Sequence, residues 1–223
     1  MPMFLKKPPV DTCLEPPGWY GKLPTLGDFA SRRLAVGFIE PWDDWLTHGI
    51  AAWRAEAPDG WLDEYLCGPT WQFILMPGVV PGAPGRSAWA GVLMPSIDRV
   101  GRHFPLTVAQ PLDLPSDDRD TETLLRWLRS LEDLAVDALH DDWSVEQLES
   151  ALNALGRWQA NPLSHLAAPP PGADLDLSAH APGSSLWMVA GSDGRTRLFT
   201  APGLPAGPAF RKLLAGRPDA AAA

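Results

Sequence analysis

The segment WQFILMPGVVPGAPGRSAWAGVLMPSIDRVGRHFPLTVA, residues 71–109, decides the fold class. It holds three apolar runs, Trp71 to Met76, Ser87 to Met94 and Phe104 to Ala109, each bounded by glycine or proline. Short runs of aromatic and branched residues between such breakers read as strands. Strands that follow one another through short loops pair antiparallel, because parallel pairing needs a long crossover.

Outward from this centre, the N-terminal side begins with a proline-rich arm over residues 1–17, where proline removes donors and blocks both helix and central strand. Trp19 to Leu23 reads as a first strand stopped by Pro24, and Asp28 stands where a helix N-cap is expected. Pro41 is expected at a first helical position, followed by Trp42, Trp45, Leu46, Ile50 and Trp53 at three- and four-residue steps until Pro58.

On the C-terminal side, Thr121 to Leu139 is a helix whose Leu124, Leu128, Leu131, Ala135 and Leu139 form one apolar stripe. Ser144 to Gln147 is a capping-box signature that opens a second helix through Leu148, Leu152 and Leu155, closed by Gly156. Residues 167–184 have no periodicity and read as a long loop. Leu186 to Ala190 and Thr196 to Thr200 flank residues 191–194 as a hairpin, Pro208 to Leu214 is a last short helix, and residues 217–223 form a tail expected to fray.

This order predicts an α+β fold, a single domain over residues 18–216 with a mostly antiparallel sheet flanked by helices. The alternative is an α/β sandwich with a mixed or parallel sheet. A chain of 223 residues is long enough for one sizeable core, and 20 glycines with 25 prolines require many turns. Eleven tryptophans for two tyrosines is an unusual balance, since every indole carries a large apolar surface and one donor.

A formal charge of −9 makes nucleic acid a poor partner. Cys13 and Cys67 form neither a disulfide framework nor a zinc motif and fit a reducing compartment. The N-terminus has two lysines but no apolar run of signal-peptide type, and no stretch reaches the length of a membrane span, so a cytoplasmic location is expected.

Two polar segments could carry function. The first, GWYGKLPTLGDFASRRL at residues 18–34, has glycines, a lysine and an expected helix start, but lacks the lysine-serine or lysine-threonine close of a phosphate loop. The plainer reading gives Asp28 to a cap and an i,i+4 pair with Arg32, and the glycines to close packing. The second, GVLMPSIDRVGRHFPL at residues 91–106, gathers Ser96, Asp98, Arg99, Arg102 and His103 between two strands. As a serine-nucleophile site it is incomplete, and turn-shaping with ion pairs is the plainer reading. The dispersed histidines make a metal site improbable, and neither cofactor nor metal is expected. Trp42 and Trp45 read as core by their spacing, but as anchors for a partner if exposed.

At these residues a family likeness becomes visible. The first segment, with GPTWQFILMPGV at 68–79 and WAGVLMPSIDRVGRHFPL at 89–106, resembles the TagF family of type VI secretion-associated proteins, also called ImpM. The likeness is densest from Gly18 to Leu106; beyond that it rests on the order of helices and on SSLW at 184–187. The resemblance implies a cytoplasmic regulator of bacterial type VI secretion that represses assembly or firing after translation. It also implies a link to a forkhead-associated scaffold protein, beside a kinase and phosphatase pathway acting on threonine. It transfers no catalytic residue and no phosphatase activity. Lys22, Asp28, Arg32, Asp98, Arg99 and Arg102 match its motif positions and are the expected partner-binding surface. The rival expectation is a small-ligand sensor or enzyme built on the same Asp and Arg loops. The oligomeric state is left open.

Overall fold

A computed structural model of the chain describes residues 15–80, 87–160, 175–191 and 195–215. The expected arm as far as residue 14, the first part of the long loop to residue 174, the tip of the last hairpin, the tail from 216, Cys13 and His165 lie outside the described residues.

All strand pairings are antiparallel, and the seven strands form one sheet in the order β2-β1-β5-β4-β3-β6-β7. They are β1 (Gly18–Gly21), β2 (Ala30–Arg32), β3 (Trp71–Leu75), β4 (Ala88–Met94), β5 (Leu106–Leu112), β6 (Ser184–Ala190) and β7 (Thr196–Pro202). The three strands expected from residues 71–109 are its centre, with Phe73 opposite Gly91 and Gly91 opposite Ala109. The fold is therefore α+β, and the mixed or parallel sheet does not occur.

Both faces of the sheet are covered, which is why β3 and β4 are buried along their whole length rather than at alternate residues. Ala90, Val92, Leu106, Val108, Ile74 and Leu186 point to one core, closed by α3 (Asp118–His140) and α4 (Val145–Leu155). Trp89, Leu93, Phe73, Leu75 and Trp187 point to the other, closed by α1 (Val36–Glu56), α2 (Trp61–Leu66) and α5 (Pro208–Leu214). The predicted stripe of α3 is buried at Leu124, Leu128, Leu131 and Ala135, and the capping box of α4 forms with both of its reciprocal bonds.

Four local expectations are corrected. Asp28 caps no helix: its carboxylate accepts from the next amide, Phe29 N–H, at 2.8 Å, and Ala30–Arg32 returns as β2 against β1. Pairing with an adjacent strand satisfies more backbone groups there than an isolated helical turn without an apolar stripe. Helix α1 begins at Val36 rather than Pro41, because this earlier turn buries Phe38 against Trp42 and Trp89. Pro41 then lies inside the helix, at its sixth residue, and removes one backbone bond. Helix α2 was not anticipated; six residues are too few for a periodic signal, and buried Tyr65 anchors it.

The last correction concerns β5, which starts at Leu106 rather than Phe104 and runs on through Pro111. Strand β1 ends at Gly18 opposite Ala109, so Pro111 lies past the end of that neighbour, where its missing donor is harmless. Among the described residues, no helix is long and apolar enough to cross a membrane.

Candidate functional site

The two polar motifs meet at one end of the sheet. Pro24 ends the first strand region and leaves the turn 22–29 before β2, while Pro95 and Pro105 bracket the turn between β4 and β5. Because β1 and β5 are paired neighbours, with Tyr20 opposite Thr107, the turns emerge side by side.

Asp98 is the hub. Its buried Oδ2 accepts from Lys22 Nζ and from Arg102 Nε, each at 2.7 Å. Its Oδ1 accepts from the backbone N–H of Val100 at 3.0 Å and of Arg102 at 2.9 Å. Burial by itself pushes this carboxyl upward, but the bonds from Lys22, Arg102 and Val100 outweigh it and hold the group well below the usual carboxylate range. Lys22 also lies over the Phe29 ring, 4.1 Å from its centre. A buried charge satisfied this completely is a clamp, and removing either partner leaves the other uncompensated.

Backbone bonds complete the join. Arg99 N–H donates to Leu26 O at 2.9 Å, the Arg102 guanidinium donates to Gly27 O, and Ser96 Oγ donates to Lys22 O at 2.7 Å. Tyr65 of α2 brackets Ser96, its hydroxyl donating to Ser96 O and accepting from Ser96 N–H, each at 2.9 Å. Thr25 Oγ1 donates to Trp143 O at 2.9 Å, tying the first turn to the α3–α4 connection. The result is a stiff double turn whose polar interior is satisfied.

The plainer reading of turn-shaping with ion pairs holds here, and no serine-centred arrangement assembles. The Ser96 hydroxyl is committed to Lys22 O, and His103 instead makes edge contacts with Trp61 and Tyr65. Burial and the Arg54 charge lower the His103 pKa, against the opposing pull of Asp98. Among the described residues, no group of three or more His, Cys, Asp or Glu side chains could hold a metal ion.

The pattern of the TagF N-terminal domain, described as type VI secretion system-associated, matches residues 18–155. The chain belongs to the TagF family. Its match starts at the first glycine of β1 and takes in the whole double turn. The crystal structure of PA0076 from Pseudomonas aeruginosa PAO1 is similar at 37% sequence identity, with a TM-score of 0.69, over 90% of this chain and 94% of that one. No curated protein matches the chain.

Within this TagF domain the expected surface residues divide. Lys22 and Asp98 are buried and hold the turns together, so they are not presented to a partner. Asp28, Arg99 and Arg102 stand exposed at the rim. Arg32 does not join them: it pairs in β2 opposite Trp19, donates to Ser31 O at 2.9 Å, and its charge is felt by Glu149 of α4. The expected Asp28–Arg32 pair is replaced by a loose contact of Asp28 with Arg102 at 3.7 Å.

For the tryptophans the core reading of their spacing holds, and the alternative of Trp42 as an anchor is corrected. Trp42 is fully buried and donates to Thr107 Oγ1 at 2.9 Å, so it is core and anchors no partner. Trp45 is half-buried against Trp187 and Phe210, with its N–H given to Pro205 O at 2.7 Å.

Phe29, Ile97 and Val100, exposed apolar side chains on the same turns, escaped the sequence reading. The signal was an apolar residue at the tip of each polar turn. A second node was also missed: Arg33, at φ 59°, has its guanidinium paired with Glu149 and donating to Pro16 O and Pro17 O, while Trp19 donates to Glu149 at 2.6 Å. That node joins three separate stretches of chain and has no sequence-local trace.

Proposed function

We propose that this protein is a binding regulator of the bacterial type VI secretion system, acting in the cytoplasm. It represses assembly or firing by engaging a forkhead-associated scaffold protein through the rim of the double turn. Family membership supports the system, and the observation that carries the binding mode is the Asp98 clamp. A buried, fully bonded carboxylate spends its chemistry on shape, and leaves Arg99, Arg102 and Asp28 outward on a fixed frame. Repression of this kind needs only a higher affinity for the scaffold in one assembly state than in another.

The test is co-purification of the scaffold protein with the wild-type chain and with Arg99→Glu, beside a secretion assay in the native cell. The expected result is loss of scaffold capture and of repression at an unchanged melting temperature. A melting temperature raised by a nucleotide or a divalent metal, with no scaffold capture by the wild type, would instead favour a ligand sensor.

A further inference from the structure

Three of the eight exposed large apolar side chains among the described residues lie on the two joined turns: Phe29 at 45% exposure, Ile97 at 37% and Val100 at 65%. Their positions are fixed rather than floppy. The Phe29 ring is held edge-on to Phe104, with centroids 4.8 Å apart, and lies under Lys22. The Val100 amide is bonded to the Asp98 carboxylate, and Ile97 bridges His103 across the turn. Apolar side chains exposed on a pre-ordered frame lose little freedom when a partner covers them.

The charges beside them are cationic although the chain as a whole carries −9. Arg99 lies over Gly27, its Nη2 3.8 Å from where a side-chain carbon would start, and makes no ion pair among the described residues. Arg102 gives one edge of its guanidinium to Asp98 and Gly27 O, and is still 53% exposed at its side chain. The nearest acid at the rim, Asp28, is 79% exposed and 3.7 Å away, a pair that contributes little and is readily displaced. Two guanidinium groups thus flank Gly27, next to an apolar patch.

Resting on the scaffold reading above, we infer that the double turn recognises a segment of the scaffold in which a carboxylate side chain sits beside an apolar one. The carboxylate enters between Arg99 and Arg102, where planar donors match its two oxygens. The apolar neighbour covers Phe29 and Val100. Charge complementarity selects this occupant: the two arginines call for an acidic partner, and a second copy placed turn against turn would bring the same arginines against themselves.

The experiment is a titration of the full-length scaffold protein against wild type, Phe29→Ala, Val100→Ser, Arg99→Glu and, as a control on α3, Arg126→Glu, each at low and high salt. Melting temperatures identify any variant that is merely unfolded, and Val100→Ser alters a side chain that is already 65% exposed. Expected are affinity losses of about tenfold for Phe29→Ala and Arg99→Glu, a smaller one for Val100→Ser, weaker wild-type binding in high salt and no change for the control. Equal affinities of all variants, with the wild type bound, would overturn this inference and the placing of the scaffold at the rim, and leave scaffold binding itself standing. No wild-type binding at low salt would overturn the scaffold reading and the inference with it. Binding that vanishes once the scaffold is dephosphorylated would replace the carboxylate by a phosphate and overturn the stated chemistry.

Discussion

Gly21→Ala tests whether the glycine at the end of β1 is set by close approach of backbones. Gly21 has φ 131°, a region that side chains disfavour, and a carbon added there would overlap the Pro105 carbonyl oxygen and come within 3.0 Å of Leu106 Cα. All of these neighbours are backbone, so no rotamer change relieves the clash. The conformational strain is worth about 1–3 kcal/mol and the overpacking about 1–3 kcal/mol more. Together they predict a loss of about 2–6 kcal/mol, a large part of a typical folding stability of about 5–15 kcal/mol.

For a chain of this length each kcal/mol shifts the melting temperature by about 2–4 °C, so Gly21→Ala should melt at least about 4 °C below wild type by calorimetry. Gly101→Ala is the matched control, since Gly101 has φ 80° but nothing within 4 Å of an added carbon. It should show the conformational part alone. If Gly21→Ala melts no lower than Gly101→Ala, the two turns are not held by the proximity of β1 to residues 105–106, and the argument fails.

Three further outcomes follow from the packing and electrostatics. Trp42→Ala should cost about 3–5 kcal/mol, seen as an early melt, because it empties the centre of the α1 face and strands Thr107 Oγ1; a shift of under a degree or two would remove Trp42 from the core. Asp98→Asn should melt below wild type at neutral pH. The folded carboxyl is held below its ordinary value of 3.8, so its contribution is full above that value and is lost as pH falls through it toward the folded one. The gap between the two melting curves should therefore narrow on acidification from about pH 5 to 3, and a constant gap would deny the clamp. Ser144→Ala removes the capping box of α4 and should cost about 1 kcal/mol, read as a small drop in melting temperature; no change would mean that the cap is redundant.

The candidate site was half legible. Both polar segments stood out because charged residues and glycines interrupt apolar runs, and the rim positions Asp28, Arg99 and Arg102 were named from them. Their division into buried and exposed was not legible, since Lys22 and Asp98 meet across 76 residues and nothing in the order of the letters tells which lysine reaches which acid. The assignment of Phe29 and Val100 to the surface depends likewise on where the sheet ends.

What the sequence determined alone was whatever is encoded within a few residues: the α3 stripe, the capping box of α4, the three central runs and the last hairpin, each of which takes its signal from a period of side chains or a neighbouring cap. What only the tertiary structure decided was adjacency: β1 beside β5, β6 beside β3, Ala30–Arg32 as a strand instead of a helix, and Lys22 against Asp98. The reason is that backbone groups and apolar faces are satisfied by whichever partner is near in space, and that partner is chosen by the packing of the whole chain.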